Sequence, residues 1–168
     1  MRDNDSVTLD LVGVRVDAPA QQPVMHLREQ DGERRMLGIY IGAAEASAIG
    51  FALEGRKPPR PLTHDLIVNL FENFGAHLSR VVITEMRAHT YFAELHLVHQ
   101  GQTHVISCRP SDAVAIAVRA EVPIAATREL IDEVGVVVDE EDDEASEEIM
   151  DEFRDFIENI SPEDFQEK

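Results

Sequence analysis

Alternating apolar and polar residues near the start of the chain predict a long β-strand. The apolar residues of segment 7–11 fall on one face, and beyond Gly13 they continue on the opposite face. Because successive side chains of a strand point to opposite faces, this change of phase indicates a β-bulge at the glycine. Segments 24–29 and 34–41 then predict a hairpin, since Asp31-Gly32 between them favours a tight turn.

Helical and strand patterns follow one another along the rest of the chain. Small residues from Ala43 to Leu53 predict a helix that stops at Gly55, and a second helix is expected to begin with Thr63 as its N-cap and to stop at Gly75. Further strands are predicted over 78–87, 91–98, 103–108 and 123–126. Further helices are predicted over 110–121 and 127–135. These elements indicate an α+β fold, a compact single domain of mostly antiparallel or mixed sheet with helices packed on it.

The end of the chain differs from the rest in charge. Residues 139–168 carry a net charge of −13 out of −18 for the whole chain, which leaves −5 for the first 138 residues. Within this segment, apolar side chains recur on one face of a helix. They are Ile149, Phe153, Phe156, Ile157 and Ile160. We therefore predict a domain at 1–136 and an acidic tail at 137–168, with an amphipathic helix around 144–160.

Composition excludes several classes of protein and of site. The single cysteine, Cys108, excludes an internal disulfide framework and a cysteine-rich zinc site. No apolar run reaches the length of a membrane span and no basic-then-apolar leader follows Met1, so we expect a cytoplasmic protein with no membrane partner. P-loop, dinucleotide-binding and Gly-x-Ser-x-Gly motifs are absent, and no organic cofactor is indicated.

Residues 53–66 combine cations with prolines in an otherwise acidic chain. The cations are Arg56, Lys57 and Arg60. The prolines favour an extended, exposed segment that either positions a phosphate or acts as a rigid connector. It leads into His64 and Asp65 in the first turn of the second helix. Asp65 there interacts well with the helix dipole, whereas His64 suits phosphodiester chemistry as an acid, a base or an anion contact.

Two other predicted helix starts carry candidate residues. Glu45 lies three positions after Gly42, where its carboxylate either reaches back to the cap N–H or binds a divalent cation. Arg109, Ser111 and Asp112 follow a strand and open the third helix. Ser111 and Asp112 either satisfy first-turn N–H groups or belong to an anion site, with Arg109 on a phosphate and Asp112 free for a metal or a proton.

Several of these stretches together resemble the bifunctional nuclease domain family, formerly a domain of unknown function. The matching stretches are residues 37–46, 52–66, 80–84 and 109–115. The resemblance covers roughly residues 6–136. It implies a compact α+β domain that associates with itself, a dimer being favoured, and that cleaves both DNA and RNA.

The resemblance also implies a set of site residues. The catalytic candidates are Glu45, His64, Asp65 and Asp112. The candidates for phosphate or nucleic-acid binding are Arg56, Lys57, Arg60, Arg109 and Ser111. The candidates for binding a divalent cation, Mg²⁺ or Mn²⁺, are Glu45, Asp65 and Asp112.

Two functional alternatives stay open at this point. The first is a phosphodiesterase with DNA and RNA as partners. The second is a non-catalytic regulatory or protein-interaction module with the same fold, which the acidity of the chain and the capping roles of the candidates favour. For the tail, the alternatives are docking on the body, with its acids over the cations of segment 56–60, or a solubilising or partner-binding helix.

Overall fold

Two antiparallel β-meanders make up most of the sheet in the computed structural model, which describes residues 5–138. The first consists of β1 (Ser6–Asp17), β2 (Gln22–Glu29) and β3 (Met36–Tyr40), and the second of β4 (Ala76–Arg87), β5 (Thr90–His99) and β6 (Gln102–Cys108). The short strand β7 (Ile124–Thr127) joins them, since it lies antiparallel to β1 and parallel to β4. The resulting seven-stranded order is β3-β2-β1-β7-β4-β5-β6.

Four helices pack against this sheet within the described residues. They are α1 (Ala43–Leu53), α2 (Thr63–Asn73), α3 (Pro110–Ala120) and α4 (Arg128–Val134). The third helix contacts α1, α2, β4 and β5, whereas α4 contacts β1, β4 and β7. The predicted α+β fold with a mixed sheet is therefore confirmed.

The predicted bulge and helix stop are present, whereas the turn between β2 and β3 differs from the prediction. The pairing of β1 with β2 shifts between Leu11 and Gly13, which confirms the bulge. The β2–β3 connection is longer than predicted, because Arg34 takes a positive φ and β3 begins only at Met36. Helix α1 ends as predicted, with Gly55 at a φ of +64° and its N–H bonded to the carbonyl of Ala52.

The start of α2 differs by one residue from the prediction. Leu62, and not Thr63, is the N-cap, because the Asp65 carboxylate accepts a hydrogen bond from the Leu62 N–H at 2.8 Å. Asp65 is therefore the third helical residue and His64 the second. This one-residue shift matters because it turns Asp65 back toward the cap.

Helix α3 packs closely against the sheet through its buried face. Ala113, Ala115 and Ala117 of this helix are fully buried, and side chains this small allow a close approach to neighbouring elements. Larger buried side chains from the strands and from α1 and α4 complete the core. The start of α3, with its charged residues, is thereby held in a defined position.

Two further findings concern the whole chain. Among the described helices, none is both long enough and apolar enough to cross a membrane. The acidic tail predicted at 137–168, including the helix around 144–160, lies outside the described residues from position 139 onward.

Candidate functional site

Three helix starts supply the charged residues of the site. Glu45 is the third residue of α1, His64 is the second of α2, and Asp112 is the third of α3. Because α3 packs against both α1 and α2, these three starts lie side by side. The N-cap residue of α3, Arg109, stands between them.

Arg109 connects two of these starts through its guanidinium group. Its Nε and Nη2 donate to the two carboxylate oxygens of Asp112 at 2.7 and 3.0 Å. Its Nη1 lies 2.8 Å from Oε1 of Glu45. The Arg109 side chain is nevertheless 65% exposed, so the cation is held in place and remains open to solvent.

His64 and Asp112 form the second contact of the site. His64 Nε2 lies 3.1 Å from Oδ1 of Asp112, and His64 is only 8% exposed. Burial raises the pKa of Asp112, but the hydrogen bonds from Arg109 and His64 outweigh this and lower the pKa below its ordinary value. Asp112 is therefore a carboxylate, and Nε2 must carry the proton of their hydrogen bond. This leaves Nδ1 as the nitrogen that can accept a proton.

These residues line an open cleft of about 790 Å³, which we name the histidine cleft. Its acidic, basic and imidazole side chains are Glu45, His64, Arg109 and Asp112. Its apolar lining includes Phe51, Ile67, Phe71, Leu95, Ile106 and Ile116. Cys108 also lines it, but burial and nearby carboxylates raise the pKa of the thiol to about 11. Cys108 is therefore protonated at neutral pH and a poor nucleophile.

Asp65 is not part of this charged cluster. Its Oδ1 lies 2.6 Å from Nε of Arg119, and its Oδ2 accepts the N–H of Leu62. Burial raises the pKa of Asp65, but these two hydrogen bonds have the larger effect. The pKa of Asp65 is therefore below its ordinary value. Asp65 thus fastens α2 to α3 and lies outside the lining of the histidine cleft.

The structure does not bring the three predicted metal ligands together. Asp65 faces Arg119, whereas Glu45 and Asp112 both contact Arg109. Within residues 5–138, no three His, Cys, Asp or Glu side chains are grouped so that they could hold a metal ion. The residues of the cleft therefore do not fit the predicted three-carboxylate site.

The cations of the proline segment do not line the histidine cleft. Arg56 Nε is 2.6 Å from Oε2 of Glu54, and the Arg56 guanidinium also stacks on Phe51 at 5.9 Å. Arg56 and Lys57 line a separate depression of about 400 Å³ that Asp65 also borders. Arg60 is exposed between α1 and α2, outside the lining of the histidine cleft. Of the predicted phosphate-binding residues, Arg109 alone lines this cleft.

The match to a known family covers this site. Residues 25–139, more than half of the chain, match the bifunctional nuclease domain. The chain belongs to the bifunctional nuclease domain family. The match includes Glu45, His64, Arg109 and Asp112 of the histidine cleft.

Relatives of this bifunctional nuclease domain occur in bacteria and plants. An uncharacterized protein of Mycobacterium tuberculosis is 41% identical over 160 residues, which are 92% of this chain and 95% of that protein. Bifunctional nuclease 1 of Oryza sativa subsp. indica is 29% identical over 120 residues, 70% of this chain and 36% of its own length. Bifunctional nuclease 2 of Arabidopsis thaliana is 31% identical over 101 residues, 58% of this chain. This chain thus spans about a third of the plant proteins.

Sequence reasoning missed two features of the site in this bifunctional nuclease domain. Arg119 is nearly buried and donates to the carbonyls of Ala48 and Ala115 as well as to Asp65. Its position four residues after the buried Ala115 was a usable signal, because it places the cation on the packed face of α3. The other feature is that Tyr40 and Tyr91 line a depression together with Arg109. No local sequence pattern indicates that these residues lie near one another.

Proposed function

We propose that this chain hydrolyses phosphodiester bonds of DNA and RNA in the histidine cleft. The observation that carries the proposal is the His64–Asp112 contact of 3.1 Å beside the exposed Arg109. Membership of the bifunctional nuclease domain family supports it, as do relatives in rice and Arabidopsis that are named bifunctional nucleases.

Arg109 is the group that would bind the phosphate. A guanidinium has five N–H groups, and the contacts with Glu45 and Asp112 use three of them. The two remaining N–H groups point from the two Nη atoms and suit a pair of phosphate oxygens. Because Arg109 is also the N-cap of α3, the positive end of the helix dipole adds to the attraction.

His64 is the group that would move the proton. A water molecule attacks phosphorus while Nδ1 of His64 takes one of its protons, and the bond from phosphorus to the leaving ribose or deoxyribose oxygen breaks. That oxygen then receives a proton from solvent. Asp112 holds the ring in one orientation and stabilises the imidazolium that forms. Glu45 acts by holding Arg109 at the cleft.

Binding of a divalent cation by these carboxylates is a separate prediction. Glu45 and Asp112 would have to release Arg109 before they bound a metal, so none of the steps above runs through one. Adding Mg²⁺ or Mn²⁺ to the chelated protein tests this directly. A rate that depends on the cation would mean that these carboxylates rearrange around it.

The proposal is tested by replacing the two members of the dyad. We expect His64→Ala and Asp112→Asn to slow cleavage of fluorogenic single-stranded DNA and RNA by about 10²- to 10³-fold. His77→Ala, which removes an exposed histidine of β4, is the matched control and should cleave like the wild type. Equal activity in all four proteins would show that the cleavage arises elsewhere or from a contaminant.

A non-catalytic interaction module is the second candidate function. A specific observation favours it, namely the exposed apolar side chains of Leu66 and Leu70 on α2 and of Phe74 at its C-cap. Such side chains suit another protein or a second copy of this chain, which would also account for the predicted dimer. Failure of the purified protein both to cut and to bind nucleic acid at low salt would favour this function. Light scattering of Leu70→Glu against the wild type tests the dimer.

A further inference from the structure

Arg109 also lines a second cleft, with a volume of about 640 Å³. We name it the tyrosine cleft. Its lining includes Tyr40, Tyr91, His89, Gly42, Arg109 and Ser111. Because Arg109 lines both clefts, a phosphate bound to it borders the histidine cleft and the tyrosine cleft.

Two helix N-termini converge on the tyrosine cleft. Gly42 and Ala43 contribute the N-cap and first residue of α1, and Arg109 to Ser111 contribute the N-cap and first two residues of α3. First-turn N–H groups, which Ala43 and Ser111 carry and Pro110 lacks, have no partner within their own helix, and two positive dipole ends in one cleft favour an anion. The lining is therefore suited to a phosphate group.

Ser111 adds a hydroxyl to the lining of the tyrosine cleft. The residue is 6% exposed. Its hydroxyl forms no hydrogen bond to another residue in the part of the chain that the structure describes. No fully buried side-chain oxygen among the described residues lacks a partner, so this hydroxyl is open to the solvent of the cleft. A phosphate oxygen bound to Arg109 would accept its proton.

Two tyrosine rings form the other end of the lining. Tyr40 is 58% exposed, and its hydroxyl donates to Oδ2 of Asp17 at 2.7 Å, which orients the ring. Tyr91 of β5 is half-buried in the same cleft. Exposed aromatic faces beside a phosphate site are the groups on which unpaired bases stack.

We propose that the tyrosine cleft binds one nucleotide unit of a single-stranded nucleic acid, with its phosphate on Arg109 and Ser111 and its base against Tyr40 and Tyr91. The substrate class follows from the rings, because a base in a duplex is already stacked and cannot reach them. This assignment rests on the proposed nuclease function, since it places the nucleotide that flanks the phosphate at Arg109.

Tyrosine fluorescence provides a direct test, because the chain has two tyrosines and no tryptophan and both tyrosines line this cleft. Thymidine 5′-monophosphate is the probe, with thymidine and inorganic phosphate as separate arms. We expect the nucleotide to quench the fluorescence at concentrations at least tenfold lower than thymidine requires. Absence of quenching, or equal quenching by thymidine and its phosphate, would overturn the proposal.

Variants of two residues test the two parts of the subsite by calorimetry. Ser111→Ala should weaken nucleotide binding about tenfold and leave thymidine binding unchanged, whereas exposed Ser107→Ala on β6 is the matched control. Tyr40→Leu should weaken both ligands, and Tyr40→Phe should retain them. Thermal melting checks that each variant folds. An unchanged affinity in both Ser111→Ala and Tyr40→Leu would contradict the assignment.

The subsite and the nuclease function fail separately, because a mononucleotide has no phosphodiester bond to cut. Cleavage that depends on His64 without nucleotide quenching would overturn the subsite and leave the nuclease function standing. Quenching without cleavage would overturn the nuclease function and leave the subsite standing. A twelve-nucleotide oligothymidylate should bind more tightly than its duplex with oligoadenylate, and the opposite order would contradict single-stranded binding.

Discussion

Arg119 Nε lies 2.6 Å from Oδ1 of Asp65, and this ion pair fastens the helix start that carries His64. The same guanidinium donates to the Ala48 carbonyl of α1 and the Ala115 carbonyl of α3. One nearly buried cation thus connects the three helices whose first turns line the histidine cleft. Asp65, next to His64 in sequence, serves the packing of the site, and His64 faces the cleft.

Removing this cation should destabilise the fold. We expect Arg119→Ala to lower the free energy of unfolding by about 2–3 kcal/mol, because it removes the cation from Oδ1 of Asp65 and two further hydrogen bonds to helix carbonyls. Arg87→Ala, which breaks the exposed pair with Glu85, should cost less than about 1 kcal/mol. Urea unfolding measures both changes. Equal losses in the two variants would show that the position of Arg119 has no special importance.

Acid should weaken the domain through its paired carboxylates. The pKa of Asp112 and that of Asp65 are lowered from the ordinary 3.8, and the Arg35 hydrogen bond lowers the pKa of Glu29 from 4.5. A lowered folded-state pKa gives stability that is complete above the ordinary value and is lost as the pH falls through the folded value. Unfolding free energy should therefore fall below about pH 4.

The contribution of one carboxylate can be separated from the others. Asp112→Asn cannot ionise at this position, so its stability should fall less steeply between pH 4 and pH 2 than that of the wild type. Asp31→Asn, which changes an exposed turn residue, is the control and should follow the wild-type curve. Parallel curves for all three proteins would contradict the lowered pKa of Asp112.

The thiol of Cys108 should react slowly in the folded protein. Burial raises its pKa to about 11, so the thiolate is a small fraction at pH 8. We expect iodoacetamide to alkylate it at least tenfold more slowly in buffer than in denaturing urea, as followed by mass spectrometry. Because the chain has a single cysteine, each modified molecule reports this position. Equal rates would mean that the histidine cleft opens readily.

Removing residues 139–168 should increase nucleic-acid binding at low salt. The deletion takes the net charge from −18 to −5, which reduces repulsion from the phosphates. Replacing Phe153, Phe156 and Ile157 by serine keeps the charge and removes the apolar stripe. If docking on the body matters, this variant should bind as the deletion does. If it binds like the wild type, the charge of the tail alone explains the effect of the deletion. An unchanged affinity in both the deletion and the serine variant would contradict inhibition by the tail.

Local rules predicted most of the elements. The phase change at Gly13 and the stops at Gly55 and Gly75 depend on residues a few positions apart, and the structure has all three. The wrong prediction of the start of α2 also concerns residues only a few positions apart. Thr63 is a good N-cap by residue type, but the Asp65 carboxylate reaches the Leu62 N–H and moves the boundary by one residue.

The sequence by itself determined the strands, the helices, the family and the residue types available for chemistry, because these depend on short-range patterns of side chains. Only the tertiary structure decided which charges meet. His64 and Asp112 are 48 positions apart, and Asp65 and Arg119 are 54 apart. The packing of α3 against α1 and α2 joins each pair, since burying its alanine face fixes where its charged ends lie. That packing keeps Asp65 out of the lining of the histidine cleft and places Arg109 in the lining of both clefts.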